Sequence, residues 1–255
     1  MEIEQINMKE LREIIARTGF DYDLLTKDYY ITVLLYLMKD IKKIYFKGGT
    51  ALQLTLLDHA RISEDIDFTI DRSLKEVRKE IKDVVDDSKI FGTITQDKDV
   101  DGFVRLVVPY KSELGTDRIF IDLNQRGKLF TKPELLGMKH FYPNIPLFKF
   151  SCLSREEMVA EKVAAAIGRN KPRDHFDIYQ IIKHKIHINM VLVKKICEQS
   201  GSESSIIKMF NRAKKLHKRW NEDMLPLMVE ETSFSEVMKT LGNHFKLKEE
   251  KERIR

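Results

Sequence analysis

From Asp65 to Ile70 the chain reads Asp-Ile-Asp-Phe-Thr-Ile, a period of two that an extended strand sorts onto two faces. Asp65 and Asp67 then share one side of the strand, and Ile66 and Phe68 take the other. Such a segment calls for a sheet with one face packed on a core and the other open to charge. Shortly upstream, Ile41, Ile44, Tyr45 and Phe46 read as the end of a helix or a short strand. They lead into Lys47-Gly48-Gly49-Thr50-Ala51-Leu52, a turn that opens a helix carrying Leu52 and Leu56 one turn apart. Glycines let backbone approach an anion, and the unpaired amides of a helix start offer hydrogen bonds to phosphate. A Gly-Gly pair alone is an ordinary turn signal. Its meaning here comes from the acids that follow.

Two carboxylates held side by side repel unless a divalent cation bridges them or surrounding donors bind them. Carboxylates that leave room for water and substrate phosphates are the usual magnesium arrangement, so Asp65 and Asp67 are candidate Mg²⁺ ligands. The alternative is a strand face of solvated acids. A third acid, Asp122, lies near the end of the β-prone run Asp117-Arg118-Ile119-Phe120-Ile121-Asp122-Leu123. It is a candidate third metal ligand or a base towards an attacking hydroxyl, since an acid in a central strand needs a partner. Otherwise it is a strand-end aspartate in water.

Further on, Ser154 and Glu157 fit a capping box, opening a helix that runs through Met158, Lys162 and Ala166. Lys162 sits among small apolar residues, so it either snorkels to water or is aimed at an anion. The stretch Asn170-Lys171-Pro172-Arg173-Asp174-His175-Phe176-Asp177-Ile178-Tyr179 begins another helix. There Asp174 is a natural N-cap, and Asp174 and Asp177 share an edge within reach of Arg173.

The order KGGTAL, RISEDIDF, EEMVAEKVAAAIGRNKPRDHFDIY resembles the AbiEii/AbiGii nucleotidyltransferase toxin family over most of residues 40 to 185. The resemblance implies an α+β chain: a nucleotidyltransferase-fold domain with a mixed sheet, followed by a mainly helical domain. It places Lys47, Gly48, Gly49 and Thr50 in the phosphate-cradling motif, Asp65 and Asp67 in the metal motif, and Ser63 at the serine position beside it. Lys162 falls at the lysine that contacts nucleotide phosphates, and Asp177, with Arg173 and Asp174, in the last motif. Asp122 is not anchored by the resemblance. The implied activity is Mg²⁺-dependent transfer of a nucleotide from an NTP to an acceptor, with RNA, and the 3′ end of tRNA in particular, expected. The implied biology is the toxin half of a toxin–antitoxin or abortive-infection system, with a cognate antitoxin.

Composition is compatible with this. At 255 residues, one third charged and 42% hydrophobic, the chain is globular and long enough for two modest domains. They are expected at 1–150 and 151–255. Met1–Gln5 is charged and polar with no signal-peptide pattern, no apolar run approaches membrane-spanning length, and Cys152 and Cys197 lack ligand spacing. A cytoplasmic protein with reduced thiols is expected.

Helices are expected over 8–40, strands near 66–71, 90–96, 103–109 and 117–124, a helix near 73–88, and a loop through Pro133, Pro143 and Pro146. Residues 154–245 read as helical, with a fraying charged tail over 246–255. In a helix near 204–220, Lys208, Arg212, Lys215 and Arg219 form a basic stripe opposite an apolar face. That stripe is either an RNA-backbone surface or a solvated helix face. Two other readings remain: a non-catalytic module of the same fold that binds nucleotide or a partner, and transfer to a protein or small-molecule hydroxyl.

Overall fold

The computed structural model describes residues 6–169 and 171–253. Met1–Gln5, on which the reading of the N-terminus rests, Asn170 of the loop motif and the last two residues of the tail lie outside them. The chain divides into two compact units, Met1–Ser154 and Arg155–Arg255.

The first unit begins with helices α1 (Met8–Thr18) and α2 (Tyr22–Met38). It continues through β1 (Ile44–Lys47), α3 (Gly48–Thr55), β2 (Asp65–Ile70) and α4 (Leu74–Ser88). The strands β3 (Thr95–Val100), β4 (Phe103–Ser112), β5 (Gly115–Asn124), β6 (Glu134–Gly137) and β7 (Lys149–Cys152) complete it. The seven strands form one mixed sheet in the order β3-β4-β5-β2-β1-β7-β6. The β2/β5 and β1/β7 pairs are parallel and the others antiparallel.

The period of two organises this sheet. Phe46, Phe68, Leu123 and Val104 are register partners across β1, β2, β5 and β4, and all four are buried. One residue along, the neighbouring row is Lys47, Asp67, Asp122 and Arg105, all half-buried on the opposite face. The apolar face gathers Phe46, Phe68 and Phe150, with ring centroids 5.6 to 5.8 Å apart. Helix α2 packs against β5 and α4. It is apolar nearly all round, which explains why it buries residues on every side. Amphipathic α4 buries only Val77, Ile81 and Val85 at four-residue spacing. Each such side chain contributes about 1.5–3 kcal/mol by leaving water.

Polar ties join α2 to the strands that carry the acids. Lys27 lies 3.4 Å from Glu64 and 3.7 Å from Asp117, and the Tyr30 hydroxyl donates to the Lys111 carbonyl at 2.9 Å. Deeper in, the Tyr142 hydroxyl donates to buried Asp28 at 2.8 Å, and burial raises the Asp28 pKa above the usual carboxylate value.

The second unit is helical. Its elements are α5 (Arg155–Gly168), α6 (Pro172–Lys183), α7 (Met190–Gln199), α8 (Ile206–Phe210), α9 (Ala213–Met224), α10 (Phe234–His244) and α11 (Leu247–Arg253). Three expectations change here and in the sheet. The segment rich in proline contains two short strands, β6 and β7, with Leu153 N–H extending the β7 pairing to the Phe46 carbonyl at 3.0 Å. The strand expected at 90–96 lies at 95–100. The helix expected over 204–220 breaks at Asn211–Arg212, which places Lys208 on a different helix from Lys215 and Arg219.

Candidate functional site

In the first unit the site is built from the end of β1, the start of α3, and the half-buried face of β2 and β5. Gly48 follows Lys47 directly and has φ +81°, in the left-handed region that favours glycine. A Cβ at Gly48 would overlap the Asp67 carboxylate; one at Gly49 would stand 2.9 Å from Arg61 Nη2 and 3.0 Å from Ser63 Oγ. Both glycines are therefore required by what approaches them. No side chain caps the first turn of α3, and the Asp67 carboxylate lies against Gly48 at the positive end of its dipole. Thr50 ties the helix to β2 through Ser63 Oγ at 3.0 Å and through a short bond to the Asp65 carbonyl.

Gly48→Ala is expected to cost about 1–3 kcal/mol from its backbone conformation alone. It should lower nucleotide transfer further by displacing Asp67. A urea melt beside a turnover assay reads both, and an alanine variant with parental turnover would remove Gly48 from the site.

Asp65 and Asp67 lie on the same face of β2, both half-buried. Asp67 pairs in register with Lys47 on one side and Asp122 on the other. Asp122 is already engaged: Arg105 on β4 donates from Nε at 2.6 Å and from Nη2 at 2.7 Å to its two oxygens. The bonds to Asp122, with the nearby charge of Asp65, raise the Arg105 pKa further above its ordinary value. The four register partners thus run cation, acid, acid, cation across the sheet.

Hard oxygen donors with room for water suit Mg²⁺, and the Asp65–Asp67 pair supplies them. Among the described residues no group of three His, Cys, Asp or Glu side chains is spaced to hold a metal ion. With Asp122 turned to Arg105, the donor set that fits is the β2 pair, completed by water and substrate oxygens.

The remaining candidates are in the second unit. Lys162 on α5 is buried, which removes the snorkelling alternative, and its Nζ lies 3.1 Å from Asp174 and 3.0 Å from Asp177. Arg169 grips Asp174 with both prongs, Nε at 2.8 Å and Nη2 at 2.9 Å. Burial would raise the Asp174 pKa, but Lys162 and Arg169 outweigh it and hold the carboxyl well below the usual range. Two expectations are corrected. The N-cap of α6 is Lys171 with Pro172 in the first turn, so Asp174 lies inside the helix. The arginine that binds Asp174 is Arg169, while Arg173 is half-buried on the same helix as Asp174.

Arg61 and Arg105 escaped the sequence reading. Arg61 is 2% exposed, donates from Nη1 to the Ile62 carbonyl at 2.9 Å, and fills the space behind Gly49. Its signal was its place at the head of the RISEDIDF motif. Arg105 had none, because its role depends on strand register.

Among solved structures, JHP933 from Helicobacter pylori matches with TM-score 0.62 and 19% identity, covering 92% of this chain and 97% of that one. MenT4, a nucleotidyltransferase toxin from Mycobacterium tuberculosis H37Rv, matches with TM-score 0.62 and 20% identity, covering 93% and 99%. These likenesses establish the α+β fold. Among curated proteins no match is found. No helix among the described residues is long and apolar enough to cross a membrane. The model of the AbiEii nucleotidyl transferase toxins matches residues 35–240, most of the sequence. The chain therefore belongs to the AbiEii nucleotidyltransferase toxin family of type IV toxin–antitoxin systems.

Proposed function

We propose that this nucleotidyltransferase uses Mg²⁺ to transfer a nucleotide from an NTP to RNA, with the 3′ end of tRNA as acceptor, in the cytoplasm. The observation that carries the reaction is the register of Asp67 with Asp122 beside Gly48, on the same face as Asp65. Asp65 and Asp67 would hold the cation, which supplies charge neutralisation on the triphosphate and the leaving pyrophosphate. The α3 amides, with Lys47, Thr50 and Ser63 around them, bind and orient the phosphates. Asp122, once released from Arg105, is placed to take the proton from an attacking hydroxyl. Lys162 is proposed as the phosphate-contacting lysine on the strength of the family resemblance. Asp174 and Asp177 fix its ammonium in place, and Arg173 lies on the same helix for a supporting role. The family implies a cognate antitoxin.

The RNA reading draws support from α9, which exposes Lys214, Lys215, Lys218 and Arg219 while burying Leu216, Trp220 and Met224. Lys208 is paired with Glu203 at 2.9 Å, and Arg219 with Asp223 at 2.8 Å, so Lys215 and Lys218 are the better probes. Incubation with each labelled NTP and total RNA tests the acceptor; labelling of protein or small molecules instead of RNA would overturn it. Phosphate contacts release counterions, so RNA affinity should fall steeply with salt. A Lys215→Glu, Lys218→Glu variant should lose about two units of the logarithmic salt slope, at roughly one per contact. Unchanged RNA labelling and slope in that variant would make this face ordinary solvated surface.

A further inference from the structure

Arg105 is the cation nearest in the sheet to the third acid, and nothing in the reaction described so far uses it. Its guanidinium grips the Asp122 carboxylate with two prongs, and a planar fork fits a pair of phosphate oxygens as well as it fits a carboxylate. It comes from β4, with its side chain about one third exposed, and Cζ rests 5.3 Å from the centre of the Phe120 ring. Asp122, which it holds, has 15% of its side chain exposed and lies beside Asp67 in register. The pair is therefore partly exposed at one end of the row, with Lys47 at the other end.

We propose that Arg105 is a triphosphate-binding residue, held ready by Asp122 and passed to the phosphates when the nucleotide enters. The exchange does two things at once. It gives the anionic substrate a second cationic contact on the side of the row away from Lys47. It also releases the Asp122 carboxylate only when substrate is present, so the third acid becomes available in step with binding. The inference rests on the nucleotidyltransfer site argued above and adds to it the residue that couples substrate arrival to the state of Asp122.

Titration calorimetry of the full chain with inorganic tripolyphosphate in Mg²⁺ buffer, repeated with each NTP, tests it; tripolyphosphate carries the chain of phosphates without a base. Arg105→Ala is expected to weaken tripolyphosphate binding on the order of ten- to a hundredfold. Arg105→Lys should lose less, since it keeps the charge and not the fork. Asp122→Asn should tighten binding in the parent, by freeing Arg105, and leave it unchanged in the Arg105→Ala background.

Equal tightening by Asp122→Asn in both backgrounds would mean that only the general field changed, and would overturn the proposal. So would parental affinity in Arg105→Ala with an unaltered melt. If Arg105→Ala fails to fold, Arg105→Lys and Asp122→Asn decide: parental affinity in both overturns the exchange. A parent that binds neither tripolyphosphate nor any NTP would overturn the nucleotidyltransfer site itself. Parental binding that is insensitive to Arg105 would overturn only this inference.

Discussion

Asp65→Asn and Asp67→Asn are each expected to lower NTP-dependent transfer by at least about a hundredfold, the scale seen when one electrostatic contact to a transition state is lost. Stability should stay near the parental value. The substitution is nearly isosteric and both positions are half-buried on the same face of β2. Labelled-NTP incorporation read beside thermal melting separates the two effects. Full activity in both asparagine variants would sink the metal assignment, and a collapsed melt in either would recast these acids as structural.

Lys162→Ala is expected to act on the fold before it acts on substrate. Removing one member of a buried ion pair costs about 3–5 kcal/mol, because the partner left behind keeps its burial and loses that counter-charge. Asp177 is fully buried and loses a partner at 3.0 Å, while Asp174 retains Arg169. A urea transition of the second unit should move to markedly lower denaturant. Lys162→Met combined with Asp177→Asn should recover much of the loss by discharging the site. Lys162→Arg should recover little, since a planar fork does not fit the place of a compact ammonium held at 3.0 and 3.1 Å. An unchanged urea midpoint together with unchanged NTP affinity in Lys162→Ala would show that the lysine serves neither purpose.

Much of the first unit was legible because its signals are local. The alternation of β2, the glycines entering α3 and the four-residue spacing of α4 each lie within one element, and the structure places those elements within a few residues of expectation. The short strands β6 and β7 were not legible. Four residues among prolines carry too little periodicity, and β7 is held by pairing with β6 and with distant β1. The break between α8 and α9 was hidden because apolar residues continue at helical spacing through it. The partners of the acids were least accessible of all. Arg105 meets Asp122 only through the β4/β5 register, and Arg169 reaches Asp174 across the turn between α5 and α6, while neighbouring Arg173 offered the more obvious pairing.

The register of β2 couples the packing of the sheet to the placing of its acids. A slip of one residue against β5 would turn Asp65 and Asp67 inward and push Ile66 and Phe68 into water. Burying an unpartnered carboxylate costs several kcal/mol even after relaxation. A domain of this size has only about 5–15 kcal/mol of stability in total. A slipped register is therefore strongly disfavoured relative to the native one. The same register that buries Ile66 and Phe68 thus sets Asp65 and Asp67 on the half-buried face, so packing of the core and alignment of the acids are one event.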